Sequence, residues 1–260
     1  MHAIISAALH AIQDQETVRI LYACESGSRA WGFPSRDSDY DVRFIYVRQR
    51  DWYLSIDLER RRDVIERPIS AQLDVSGWDL RKALQLLRKS NPPLLEWLNS
   101  PIVYLDQYDA AAHFKRLLPA YYSPTACMFH YLHMARGNYR NYLRGDQVWV
   151  KKYFYVLRPL LAIKWIEADY GVVPMEFSAL VDAVITDPAL KREITALLER
   201  KKAGDELDRG PRNEIISTFI EGEITRLDAV PVPPTQSTPS IEELNQLFRH
   251  LIETAWTENR

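Results

Sequence analysis

The stretch of residues 27–42 reads Gly-Ser-Arg-Ala-Trp-Gly-Phe-Pro-Ser-Arg-Asp-Ser-Asp-Tyr-Asp-Val, and it connects two apolar, β-prone runs over 18–25 and 41–47. The Gly27-Ser28 pair predicts a turn after the first strand, where backbone N–H groups can approach a phosphate. Side chains two positions apart on a strand point to the same side, so Asp39 and Asp41 can converge on one hard cation. The stretch therefore indicates magnesium-dependent transfer of a nucleotide.

The composition is that of an ordinary globular protein, with 47% hydrophobic and 26% charged residues in a chain of 260. The net charge of -2 gives no general attraction for nucleic acid, so contact with RNA needs a local patch. Two cysteines, Cys24 and Cys127, are too few for a disulfide framework or a zinc site. No signal-peptide pattern or membrane-spanning run is recognised, so we expect a cytoplasmic protein with no membrane partner. Nothing in the sequence indicates an oligomeric state.

Strand patterns are confined to the first part of the chain. They predict strands over 18–25, 41–47, 62–67 and 71–76, with helices over 78–87 and 92–98. Beyond residue 108 helices are expected to start at Pro124, near Val148, at Pro188 and at Pro211. The proline-rich run 230–239 predicts an extended linker. The fold class is therefore α/β (α+β), with an α/β catalytic domain over 1–107 and an all-helical domain over 108–260.

Asp74 is the candidate third carboxylate of the site. If its neighbours Leu73 and Val75 face the core, Asp74 points to the opposite face of the sheet, where a neighbouring strand can present Asp39 and Asp41. Magnesium prefers oxygen ligands, and two such ions can clamp the attacking and leaving oxygens of a displacement. These three carboxylates are the predicted metal ligands, with Asp74 also favouring deprotonation of an acceptor hydroxyl. Either motif alone is common in surface turns, so the prediction depends on their order along the chain.

This order of motifs resembles the nucleotidyltransferase superfamily of DNA polymerase β-like enzymes. Longer runs resemble one bacterial and phage branch of predicted nucleotidyltransferases, associated in some genomes with RNA-repair ligases; these runs are residues 27–32, 37–46, 52–53, 63–66, 74–80 and 90–93. The resemblance implies a minimal mixed sheet flanked by helices, with the helical domain closing the cleft. It also implies that Asp39, Asp41 and Asp74 form the catalytic metal triad and that Gly27 and Ser28 bind the triphosphate.

Basic residues are the remaining candidates for binding the nucleotide. Members of the superfamily often bring a basic residue of the helical domain to the triphosphate, and Lys151 and Lys152 are candidates for this role. The alternative for these lysines is a solvated helix face. Arg29 directly follows the turn and can contact phosphate or pair with Asp37.

A stripe of arginines is the candidate surface for RNA. Arg136, Arg140 and Arg144 recur at helical spacing and are interleaved with Tyr139 and Tyr142. Such a stripe can bind a phosphate backbone while tyrosines stack on bases. Charge-paired arginines on an ordinary helix surface are the alternative.

We therefore expect a transferase that moves a nucleoside monophosphate from a nucleoside triphosphate, ATP being the expected one, to an acceptor hydroxyl. Mg²⁺ or Mn²⁺ is the expected cofactor, and pyrophosphate is released. An RNA end is favoured as acceptor over a protein side chain or a small molecule. The alternative is a nucleotide-binding regulatory module, or an antitoxin that binds or nucleotidylates a protein partner.

Overall fold

The computed structural model of the chain describes residues 1–69, 72–205, 207–229 and 239–257. The chain forms two compact units. Unit 1 takes its described residues from Met1–Ala30, Asp39–Tyr122 and Ser237–Arg260, and unit 2 takes them from Trp31–Ser38 and Ser123–Gln236. No helix within the described ranges is both long and apolar enough to cross a membrane.

The elements follow one another in chain order as α1 (His2–Glu16), β1 (Arg19–Ser26), α2 (Gly27–Ala30), β2 (Tyr40–Val47), α3 (Arg50–Tyr53), a single 3-10 turn (Leu58–Arg60), β3 (Val64–Glu66), β4 (Leu73–Asp79), α4 (Leu80–Arg88), α5 (Pro92–Leu98), β5 (Val103–Asp106), α6 (Ala110–Tyr121), α7 (Pro124–Tyr142), β6 (Gln147–Trp149), α8 (Lys152–Glu167), α9 (Phe177–Val184), α10 (Pro188–Ala203), β7 (Arg209–Pro211), α11 (Glu214–Asp228) and α12 (Glu242–Thr257).

Unit 1 is built on a five-stranded sheet in the order β3-β4-β2-β1-β5. Strand β2 pairs in antiparallel fashion with β1 and in parallel with β4, while β3 and β5 are antiparallel edge strands. The mixed sheet flanked by helices that the resemblance implied is therefore confirmed. The sequence did not predict β5, because its two terminal residues are exposed and it lacks an apolar alternation.

One face of the sheet forms a core with α1. Ile5, Leu9 and Ile12 recur at helical spacing, are at most 2% exposed, and pack in one cluster with Val42 and Phe44 of β2. Burying such apolar surface stabilises the fold by roughly 25 cal/mol per Å². Because alternate residues of a strand face opposite sides, this packing turns the odd-numbered residues at the start of β2 to the other face.

Helices α4, α5, α6 and α12 also pack within unit 1. The Ser90 hydroxyl donates to the carbonyl of Tyr121 at 2.6 Å, and the indole N–H of Trp256 donates to the carbonyl of Arg48 at 3.0 Å. The first bond connects α6 to the loop between α4 and α5, and the second connects α12 to the residue that follows β2. The compact units therefore do not coincide with the predicted ranges 1–107 and 108–260, because packing at a distance in sequence assigns both helices to unit 1.

Unit 2 is mainly helical, with α7 against α8 and with α8 also contacting α9 and α11. The predicted starts of α7 and α10 are confirmed: Ser123 accepts from the N–H of Ala126 at 3.3 Å, and Asp187 accepts from that of Ala189 at 2.8 Å. The sequence predicted only helices in this part of the chain, and the structure also contains a short antiparallel pair of strands, β6 with β7.

The prediction that Pro211 starts a helix is wrong. Pro211 lies in β7 opposite Gln147, and α11 begins at Glu214. Asn213 provides the cap, because its side-chain oxygen accepts from the N–H of Ile216 at 3.0 Å. The predicted linker at 230–239 lies outside the described residues except for Pro239.

The segment 31–38, which joins α2 to β2 along the chain, belongs to unit 2. The ring of Phe33 stacks on that of Phe154 with centroids 4.7 Å apart, and the carbonyl of Trp31 accepts from the N–H of Phe177 at 2.9 Å. The aromatic residues of the connection between the two sequence motifs are thus part of the core of the helical unit.

Asp79 gives a test of the fold by pH. It is 1% exposed, accepts from the Tyr53 hydroxyl at 2.8 Å, and caps α4 through the N–H of Arg81 at 2.8 Å. Burial raises the pKa of its carboxyl from 3.8 to about 6. Since the folded state then holds a proton that the unfolded state has released, this group's contribution to stability is full below pH 3.8 and is lost as pH rises through about 6.

We predict that Asp79→Asn, which keeps one acceptor oxygen for the cap on Arg81 but no second acceptor for the Tyr53 hydroxyl, does not titrate and removes this loss with pH. The free energy of unfolding of the variant minus that of the wild type should rise by up to about 3 kcal/mol between about pH 4 and pH 7. Urea unfolding at a series of pH values measures it. A difference that stays constant or falls over that range contradicts the assignment.

Candidate active site

Two of the predicted metal carboxylates are direct neighbours in the sheet. Asp41 of β2 lies opposite Asp74 of β4 in the parallel register, and Ser26 lies opposite Asp41 on the other side. Leu73 and Val75 are in the core with α1, so Asp74 points away from that core, as their pattern predicted. Partners in adjacent strands are about 4.8 Å apart, which brings the two carboxylates onto one face of the sheet, side by side.

Arg43 contacts both carboxylates. Its Nη2 donates to Oδ2 of Asp74 at 2.7 Å and to Oδ1 of Asp41 at 3.3 Å. Its Nη1 donates to the carbonyls of Val42 at 3.1 Å and Asp74 at 3.2 Å. Sequence reasoning missed this residue, although its position two residues after Asp41 places it on the same face of β2.

Gly27 begins the turn after β1 and lies against Asp41. Its backbone has φ +64°, in the left-handed region that favours glycine. A β-carbon at this position would overlap the carboxylate of Asp41, with Oδ2 as the nearest atom. Both the backbone conformation and the close approach of the carboxylate therefore require glycine here.

Glu25 is a buried carboxylate that sequence reasoning also missed. It has 0% exposure, its Oε1 accepts from the backbone N–H of Asp41 at 2.8 Å, and its Oε2 accepts from the hydroxyl of Tyr104. Burial raises the pKa of the Glu25 carboxyl, and the hydrogen bonds from Tyr104 and Asp41 oppose that rise. The sequence signal that could have identified Glu25 is a carboxylate at the end of an otherwise apolar strand. Glu25 therefore holds the backbone of Asp41 at the start of β2.

Asp39 and Arg29 lie at the entrance to β2. The guanidinium of Arg29 lies 3.6 Å from the ring centroid of Tyr40, and its Nε donates to the carbonyl of Asp39 at 3.1 Å. The Asp39 residue is exposed. In the described part of the chain, no group of three or more His, Cys, Asp or Glu side chains is placed to hold a metal ion together.

The pair nevertheless fits a hard divalent cation by the chemistry of its donors. Mg²⁺ is usually held by one or two carboxylates together with substrate phosphates. Asp41 and Asp74 supply two such carboxylates on one face of the sheet.

Lys151 and Lys152 belong to unit 2 and lie at the start of α8. The ammonium of Lys152 lies 4.5 Å from the ring centroids of both Tyr142 and Tyr155. Burial and the neighbouring Lys151 lower the pKa of Lys152. Lys152 and Tyr155, which are three residues apart in α8, lie on one face of the helix.

The arginine stripe of α7 is partly charge-paired. Arg136 forms an ion pair with Asp228, and the guanidinium of Arg144 lies 5.9 Å from the ring centroid of Tyr139. The hydroxyl of Tyr139 donates to Glu221 at 2.7 Å. For Arg136 these contacts favour the charge-paired alternative over an RNA contact.

We predict that Gly27→Ala lowers the melting temperature more than Gly32→Ala does. Gly32 is a matched control, because it also has positive φ, +86°, but its β-carbon would meet open space. Both variants carry the backbone strain of about 1–2 kcal/mol, and only Gly27→Ala must also displace Asp41. Thermal unfolding of both proteins measures this, and equal losses would show that the carboxylate does not press on the turn.

Comparison with known proteins places the chain in a family. The chain is 49% identical over 251 residues to the uncharacterized protein YcgL of Bacillus subtilis (strain 168), with 96% of each chain covered. The crystal structure of a nucleotidyltransferase-like protein from Exiguobacterium sibiricum 255-15 aligns with 98% of this chain and 86% of its own. The sequence identity of this match is 10%, and its TM-score is 0.33. The family model described as RlaP, RNA repair pathway DNA polymerase beta family, matches residues 1–250. The chain therefore belongs to the RNA repair pathway DNA polymerase beta family.

Proposed function

We propose that this protein transfers a nucleoside monophosphate from a nucleoside triphosphate to a hydroxyl at an RNA end, releasing pyrophosphate. The observation that carries the proposal is the pair Asp41 and Asp74, in register beside a turn that only glycine can form. Membership of a polymerase β family supports the transfer chemistry, and the RNA repair pathway in its description supports RNA as acceptor.

Asp41 and Asp74 are the carboxylates that would hold Mg²⁺ or Mn²⁺, and Asp39 is proposed as the third ligand once a nucleotide is bound. The cation, when bound, neutralises charge on the triphosphate and favours in-line displacement at phosphorus. The nucleotide is proposed to be ATP.

The turn at Gly27 is the proposed binding site for the triphosphate. Gly27 is followed by Ser28 and Arg29 in the short helix α2. Successive backbone N–H groups in such a turn can bind phosphate oxygens, to which Ser28 adds a hydroxyl and Arg29 a positive charge. The role of Lys151 and Lys152 at the triphosphate stays a prediction from the sequence.

In the proposed step the acceptor hydroxyl oxygen forms a bond to the α-phosphorus, and the bond from that phosphorus to the bridging oxygen breaks. Pyrophosphate leaves with that bridging oxygen. The proton of the hydroxyl passes to the carboxylate of Asp74, which already accepts a hydrogen bond from Arg43.

The test is to incubate the protein with each labelled nucleoside triphosphate, Mg²⁺ or Mn²⁺, and total RNA or cell extract. We predict label in RNA, a loss of about 100-fold or more in Asp41→Asn and Asp74→Asn, and little change in Asp51→Asn. Asp51 is a matched control because it is an exposed aspartate of α3.

Label in protein instead of RNA would contradict the proposed acceptor and support the protein-modifying alternative. Absence of label and of pyrophosphate with every acceptor would contradict the transferase itself.

A further inference from the structure

Asp41 and Asp74 are like charges on directly opposite positions of neighbouring strands. Each side chain is 28% exposed, so water and salt screen their repulsion only in part. Like charges in this cross-strand position destabilise a sheet. A stable pair therefore needs a positive charge within reach of both.

Arg43 supplies that charge from a fixed position. Its Nη1 is anchored on two backbone carbonyls, those of Val42 and Asp74, at 3.1 and 3.2 Å. The side chain is 19% exposed. Because the guanidinium is a rigid planar fork, anchoring Nη1 also fixes the direction in which Nη2 meets the two carboxylates.

The contacts engage one particular oxygen of each carboxylate. Nη2 meets Oδ1 of Asp41 and Oδ2 of Asp74. The other oxygen of Asp41, Oδ2, is the one that lies against Gly27. The guanidinium thus orients the carboxylate of Asp41 so that its second oxygen faces the turn.

We propose that Arg43 is a positioning residue that acts as the resident cation of the acidic pair. It holds Asp41 and Asp74 together while no metal is bound, and it turns Oδ2 of Asp41 toward Gly27. This inference takes the location of the site from the proposed function, but the contacts on which it depends are independent of any transfer reaction.

The inference has a consequence for binding of a divalent cation. Replacing Arg43 by glutamine leaves two neighbouring carboxylates without this charge, and a divalent cation can then supply it. Since a ligand stabilises a protein in proportion to its preference for the folded state, Mn²⁺ should stabilise Arg43→Gln more than the wild type. Lysine keeps the charge but lacks the fork that reaches both carboxylates and both carbonyls.

The experiment measures thermal unfolding of the full chain without metal and with Mn²⁺. We expect Arg43→Gln to lower the melting temperature by about 5 °C without metal, and Arg43→Lys to lower it less. In an Asp74→Asn background one charge of the pair is removed. There, Arg43→Gln should lower the melting temperature by less than half as much as it does in the wild-type background. Added Mn²⁺ should raise the melting temperature of Arg43→Gln more than that of the wild type. Arg50→Gln, at an exposed arginine of α3, is the control. It should change neither the melting temperature without metal nor the rise that Mn²⁺ produces.

If Arg43→Gln alone does not fold without metal, the double variant with Asp74→Asn is expected to fold. Equal losses in both backgrounds, together with equal responses to Mn²⁺ in variant and wild type, would show that Arg43 only packs and would overturn the inference. Because no readout is transferase activity, a positive result with an inactive wild-type enzyme would contradict the proposed function while leaving the role of Arg43 intact.

Discussion

The parallel pairing of β2 with β4 is the constraint on which the rest of the site depends. It places Asp41 opposite Asp74, and a shift of one residue would turn every side chain of a strand to the other face. The buried positions Val42 and Val75, which are also opposite each other, hold this register through the core with α1. Packing on one face of the sheet thus determines which side chains lie next to each other on the opposite face.

The charges that this register brings together are compensated locally. Arg43 neutralises part of the charge on the pair, while Glu25, on the neighbouring strand, holds the backbone N–H of Asp41. Gly27 completes the arrangement by leaving space for the carboxylate. Three residues that touch Asp41 therefore fix its backbone and its side chain from different sides, as is required of a group that must be in place before a substrate binds.

Local patterns predicted the parts of this arrangement that depend on neighbours in sequence. Leu73 and Val75 indicated the face on which Asp74 lies, and Gly27-Ser28 indicated the turn, because strand alternation and turn chemistry are local properties. The pairing of Asp41 with Asp74, the fork of Arg43 and the burial of Glu25 depend on strands that meet only in the folded chain. The same reason explains why α6 and α12 were assigned to the helical domain. The roles of Asp39, Lys151 and Lys152 stay predictions.

The most direct measurement of the central claim is a crystal structure of the protein with Mn²⁺ and a non-hydrolysable nucleoside triphosphate, with anomalous scattering used to locate the metal. The account predicts an anomalous peak coordinated by carboxylate oxygens of Asp41 and Asp74, with phosphate oxygens on the backbone N–H groups at Gly27 and Ser28. A triphosphate bound elsewhere, or a metal that contacts neither aspartate, would contradict it.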